Sequence, residues 1–237
     1  MTITLYAILL ALMAGASAFF GALLARSEKI QPHWLESEVR HGIMAFGGGA
    51  LLAAVALVLV PDGMEKQPAW LGIGTFLLGA ACFMMLDRYL AKKGTPFSQW
   101  MAMMLDFVPE AIVLGAVIAG DYREAVFIAV IIAAQNFPEG FNAYREIISR
   151  GKGWARKHVM WLMTAAVAAG PFFALFGRYV FDPHSASLGA LMTFCAGGIL
   201  YLVFNDIAPQ AKLERHWLPS FGAIFGFVVG MIGKALI

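Results

Sequence analysis

Asp106, Glu110 and Glu139 stand near the middle of long apolar runs, where an ionised group is expensive. They fall in two short stretches, Asp106-Phe107-Val108-Pro109-Glu110 and Gln135-Asn136-Phe137-Pro138-Glu139-Gly140. In each stretch a polar residue stands four positions before the Glu of a Pro-Glu pair, and that spacing puts both side chains on one face of a helix. Each proline lacks a backbone donor and crowds the carbonyl one turn back, so the carbonyls near Leu105 and Ala134 are candidates to bind a ligand or water. A carboxylate at the centre of a bilayer costs about 2.5–3.5 kcal/mol even on lenient scales. No Lys or Arg lies at matching depth to pair with these three. The charges must therefore be protonated or compensated by a cation from outside the chain. Three carboxylates and the Gln135 amide supply only oxygen donors, a set suited to a divalent cation. Asn136 can join that set, or equally can serve as a hydrogen bond between helices.

The elements that carry these residues follow from composition. The chain of 237 residues is 60% hydrophobic and 14% charged, too little charge to coat a water-facing surface, since soluble domains carry about a quarter. Spanning a hydrocarbon core takes about 20 apolar residues of helix. Eight runs meet that length: 3–25, 41–60, 70–90, 98–120, 124–148, 157–180, 186–208 and 216–236. We expect an all-α polytopic membrane protein, residues 1–237 forming one eight-helix domain with short loops. The outer loop around Gly120 to Arg123 makes helices 4 and 5 antiparallel neighbours, so their polar faces can meet. Thirteen of the 17 Lys and Arg lie in the odd-numbered loops. These loops are therefore expected on the cytoplasmic side, with both termini outside. Residues 46–61 align with 194–209 at a constant offset of 148, matching Phe46 with Phe194, Gly49 with Gly197, Leu52 with Leu200 and Pro61 with Pro209. Because helices 2 and 7 run in opposite directions, this predicts an inverted repeat of helices 1–3 and 6–8 around helices 4 and 5.

The motifs on helices 4 and 5 resemble those of the ZIP family of divalent metal transporters, whose members carry His-Asn-x-Pro-Glu-Gly-like sequences there. Gln135 to Gly140 is similar throughout, and Asp106 to Ala111 at Pro109 and Glu110. Val60-Pro61-Asp62 and Asn205-Asp206-Ile207-Ala208-Pro209 also resemble family patterns. The resemblance covers essentially the whole chain. It implies uptake of zinc, or of iron, manganese or cadmium, with the ion as cargo and no cofactor. It also implies a homodimer in the bilayer, while short loops and simple cytoplasmic ends suggest a plasma (inner) membrane, and no nucleic acid is expected as partner. Many members have a second metal site, but here Phe107 cannot ligate and helix 6 lacks a carboxylate between Val159 and Gly177. We therefore expect one site, from Asp106, Glu110, Gln135 and Glu139, with Asn136 the remnant of the second. Asp106 in place of the usual His makes that site harder and weakens preference for zinc over manganese or iron. A metal sensor, or a proton or cation pathway without metal transport, is the alternative. An enzyme is not expected, since no H-E-x-x-H motif and no Ser-His pair at matched depth is present.

The remaining polar residues have blander readings. Asp62 reads as a solvated helix end, with attraction of cations at the outer mouth as its alternative. Asp87 reads as an interfacial partner of Arg88, and Asn205 with Asp206 as an exit relay or an inner helix end. His41, His158, His184 and His216 suit interfacial positions, as do Trp70, Tyr89, Trp100 and Trp161. Cys82 and Cys195 read as buried small side chains, and most methionines as core filler.

Overall fold

In the computed structural model of the chain, residues 2–27, 33–93, 96–151, 153–211 and 217–235 are described. Lys29, Lys152, Lys212, Arg215 and His216, which contribute to the loop-charge and interfacial readings, lie outside them. The described residues form helical rods and no strand. We label them α1 (Ile3–Ser27), α2 (His33–Ala54, continuing through Val55–Leu59 to Val60–Glu65), α3 (Ala69–Lys93) and α4 (Ser98–Val117). They continue as α5 (Tyr122–Arg150), α6 (Arg156–Val180), α7 (Ala186–Leu202, continuing through Val203–Ile207 to Ala208–Ala211) and α8 (Leu218–Ala235). For description the bundle stands with the start of α1 at the top.

Seven of these helices are long and apolar enough to cross a membrane, and large side chains such as Leu77, Met85, Trp161, Phe172, Phe225 and Ile232 are exposed on α3, α6 and α8. A water-soluble protein would not leave so much apolar surface uncovered; this is a multi-pass membrane protein. The rod outside that group is α5. It has 29 residues, about 43 Å at the usual rise, but Gln135, Asn136 and Glu139 dilute its apolar middle. Of the eight expected spans, seven meet this length and apolarity among the described residues; α5 does not, because the polar motif expected near the centre of the fifth run sits on the rod itself. Cys82 also departs from expectation, being exposed on the outer face of α3, whereas Cys195 is buried; both are free thiols.

Rods α2 and α7 share an interruption. Each passes through a five-residue π-helical stretch, Val55–Leu59 and Val203–Ile207, and the two stretches stand 148 residues apart. Val60 N–H donates to the Val55 carbonyl, and Ala208 N–H to the Val203 carbonyl. Pro61 and Pro209 follow at once and explain the widening. A proline removes one i→i−4 bond and its ring pushes on the carbonyl a turn earlier, which a wider turn relieves.

Packing between rods rests on reciprocal glycines. A Cβ on Gly21 would overlap the Phe137 carbonyl, and one on Gly140 the Ala18 carbonyl, closing α1 on α5. Gly115 and Gly177 do the same for α4 and α6, Gly49 and Gly226 for α2 and α8, and Gly79 and Gly197 for α3 and α7. Each of these glycines meets the carbonyl three residues before its partner glycine. Inside lipid the association of helices depends on such close backbone approach, since there is little hydrophobic gain between them.

Polar ties mark the two ends. Asp121 caps α5, its Oδ1 accepting from the Arg123 and Glu124 amides at 2.8 and 3.2 Å. Near the top, Gln67 Nε2 donates to Thr193 Oγ1 at 3.0 Å, and the Thr75 and Thr193 hydroxyls lie 2.6 Å apart, joining α3 and α7. At the bottom, Glu146 Oε2 on α5 accepts from the Gln99 amide in the first turn of α4 at 2.8 Å. The tight α4–α5 turn at the top and the Glu146 tie at the bottom hold these two rods in register.

Candidate metal centre

The polar faces of α4 and α5 do meet. Gln135 Nε2 donates to Glu110 Oε2 at 2.5 Å, and both side chains are buried. Asp106, one turn below Glu110, is also buried, and the charges that act on it are Glu139, Glu110 and Asp206. Glu139 feels Glu110 in turn. All these charges are negative. Four of the expected ligands each present a buried oxygen without a hydrogen bond: Asp106 Oδ1, Gln135 Oε1, Asn136 Oδ1 and Glu139 Oε2. An unpartnered buried acceptor costs about 1–3 kcal/mol, so the arrangement is costly by itself and suited to a cation. It is not a closed coordination sphere. Among the described residues no three His, Cys, Asp or Glu groups converge closely enough to hold a metal ion, and the amide of Gln135 already engages Glu110.

Asn136 lies on a different face. One position past Gln135 it is turned toward α1, and its Nδ2 donates to the Ala14 carbonyl at 3.2 Å. We expect Asn136→Ala to lower thermal stability by about 1 kcal/mol, the scale of an interhelical bond in a membrane protein, and to leave metal affinity within about threefold. Gln135→Ala should instead lower affinity about 10-fold or more, since it orients Glu110. Melting in detergent and calorimetric titration with zinc separate the two. Phe107 fills the neighbouring space, its ring tip placed where Cβ atoms on Gly15 of α1 or Gly170 of α6 would stand. An aromatic ring thus packs at the junction of α1, α4 and α6.

Above Glu110 lies a narrow cavity lined by Ala54, Val58, Leu59, Val113, Ile128, Ile131 and Ile132. Its volume is about 10 Å³, room for roughly one water. Below Asp106 the surroundings are polar. Asp206, in the π stretch of α7, accepts from Asn205 Nδ2 at 2.9 Å. Asp87 Oδ2 on α3 accepts from the same Asn205 amide and from the Tyr201 hydroxyl, both at 3.0 Å. Asp87 is therefore part of an α3–α7 network, which corrects its reading as a partner of Arg88. Tyr201 was not anticipated; at the offset of 148 it matches Ala53, and only the crossing of α7 over α3 gives it a role. Asp62, expected at a solvated helix end, is half-buried, with Oδ2 enclosed and Oδ1 3.9 Å from Lys234 Nζ.

No family model matches the chain. It is 22% identical to the zinc transporter ZupT of Corynebacterium aurimucosum, over 98% of this chain and 97% of that protein. It is 30% identical over 83 residues to the human zinc transporter ZIP11, and 29% to the bovine one, in each case 35% of this chain and about a quarter of the relative's length. The match that runs nearly end to end, together with the Gln135-to-Gly140 motif at the meeting of α4 and α5, makes this chain similar to bacterial and animal zinc transporters at low identity.

Proposed function

We propose that the protein carries a divalent transition-metal ion across the membrane toward the cytoplasm, through one site between α4 and α5. The observation that carries this reading is the set of buried, unpartnered oxygens of Asp106, Gln135 and Glu139 beside Glu110, with only negative charges acting on Asp106. The relatives are zinc transporters by name, which makes zinc the first cargo to consider. The all-oxygen donor set adds manganese and iron, and cadmium remains among the ions to test. Asn136, with a free Oδ1, stands at the edge of the site.

The path follows from the surroundings of the site. The apolar cavity above Glu110 closes it toward the top, while Asp206 and Asp87 continue the carboxylates downward. The sequence puts thirteen of its 17 basic residues in the odd-numbered loops, so in this reading the top faces outside, with both termini there and α5 as the eighth crossing. The plasma (inner) membrane and a homodimer belong to the same reading.

Alternation between the two sides rests on the inverted repeat. In that repeat, helices 1, 2, 3 and 4 exchange with 6, 7, 8 and 5. The glycine-locked pairs obey this exchange: α1·α5 becomes α6·α4, and α2·α8 becomes α7·α3. Gly49 and Gly197, and the two π stretches, share the offset of 148. Movement of α2 and α7, with the partners locked to them, against the pairs holding the site would close one side and open the other.

Reconstitution in liposomes tests the reading. We expect uptake of zinc, with manganese and iron(II) within about 10-fold of it, because an all-oxygen site discriminates weakly. Metal bound in detergent without flux would mean a sensor instead.

A further inference from the structure

Three consecutive glycines of α2 face three different rods. A Cβ on Gly47 would meet Pro138 of α5, one on Gly48 the Ile207 side chain of α7, and one on Gly49 the Ala223 carbonyl of α8. Between α7 and α8, over Gly48 and Gly49, lies a cavity of about 390 Å³, within the range of about 300–1,000 Å³ usual for ligand pockets. It shares no lining residue with the narrow space above Glu110 or with the metal centre. Ser220 carries the only polar side chain among the described residues that line it, so water would find almost no hydrogen-bond partner there.

Position and depth point to one occupant. Ser220 lies in the first turn of α8, three positions past the exposed Trp217, and exposed Trp marks the boundary between membrane and water. From that level the lining rises along α8 to Phe227, and along α2 from Ala45 to Leu52, about 10–12 Å at the helical rise. That is most of one leaflet, which is half of a hydrocarbon core about 30 Å thick. Phe204 of α7 and Ile224 of α8 form the lips and are both exposed, so the cavity opens sideways onto the apolar surface that the bilayer covers. We propose that this cavity is a lipid site, taking one acyl chain of a phospholipid from the lower leaflet with the polar end of the lipid at the level of Ser220. The occupant supports α7. Phe204 and Ile207 line the cavity, while Asn205, in the same π stretch, donates to Asp87 of α3 and to Asp206. The acyl chain therefore braces the stretch that carries the lower polar network. The site follows from the membrane setting alone and does not depend on the transport reading.

The probe is a phosphatidylcholine with a photoreactive diazirine at mid-chain, doped into phosphatidylcholine vesicles that carry the full protein. Cross-linked peptides are quantified by mass spectrometry after photolysis. The reference is the stretch 73–85 of α3, where Ile73, Leu77 and Met85 are exposed to lipid. We expect residues 203–208 and 219–227 to be labelled at least about threefold more than that stretch, because a held acyl chain meets three rods where a bulk lipid meets one. Ala208→Phe fills the cavity from α7 and Ser220→Phe from α8, and both residues are exposed, so either ring is accommodated without disturbing the core. Each should bring labelling down to the α3 level, whereas Ala81→Phe, on the exposed face of α3, should leave it unchanged. In lipid-free detergent, hydrogen exchange of residues 203–208 should slow when phosphatidylcholine is added, and should not respond in Ala208→Phe. Labelling of the unaltered protein no higher than on α3, or unmoved by both cavity-filling substitutions, overturns the site. Labelling below the α3 level, with cross-links between protein chains, would mean that a second copy covers the cavity and overturns it as well. Unchanged exchange overturns the support of α7. None of these readouts involves zinc flux, so failure of the transport reading is distinguishable.

Discussion

Proteoliposomes carrying Glu139→Ala are expected to take up no more zinc than protein-free vesicles, a fall of about 100-fold or more, while the protein still inserts and melts as a folded unit. The reason is electrostatic. Glu139 and Glu110 are neighbouring charges on two rods, and Asp106 lies within the fields of both. A divalent ion in such a low-dielectric place depends on the full set of carboxylates for its compensation. Removing an orienting residue beside a metal typically costs 10–100-fold in affinity, and removing a ligand costs more. Stability should not suffer, since Glu139 Oε2 makes no hydrogen bond and deleting a buried repulsive charge relieves the fold. Uptake at the unaltered rate in Glu139→Ala would remove the basis for a site between α4 and α5.

Gly177→Ala should be among the most damaging single-carbon changes available. Its new methyl would overlap the Ile112 carbonyl on α4, which is backbone and cannot turn away. The α4·α6 pair must then separate, and with it the reciprocal seat of Gly115 against the Ala174 carbonyl. Overpacking costs about 1–3 kcal/mol where side chains can adjust. Against a fixed carbonyl we expect about 3 kcal/mol or more, a melting temperature lower by about 6–12 °C for a chain of this size. Gly74→Ala is the control. Nothing stands within 4 Å of its Cβ position, and alanine improves helix propensity by up to about 1 kcal/mol, so it should melt at the same temperature or higher. Equal melting of the two variants would mean that the glycine pairs do not hold the bundle.

The residues of the proposed metal centre stand out in the sequence because lipid imposes a harsh local rule. A carboxylate within an apolar run has no bland explanation, so Asp106, Glu110 and Glu139 declare themselves, and Pro-Glu spacing sets the face. The glycine contacts and widened turns at Gly49, Gly197, Pro61 and Pro209 were foreshadowed by the sequence match at an offset of 148 for a related reason. A close helix contact and a proline-widened turn each tolerate very few residue types.

Partners across the bundle were not legible. Asp87 beside Arg88 gives no sign that its carboxylate belongs to Tyr201 and Asn205, more than a hundred positions away. Asn136 and Gln135 look alike in sequence, yet one bonds α1 and the other Glu110. Cys82 and Cys195 share an apolar setting, but one faces outward and the other inward. Hydropathy and helical period are properties of one rod and can be read along it. Which side chain meets which, as Lys234 meets Asp62, depends on the angle and rotation at which rods cross, and only the packed glycines set those.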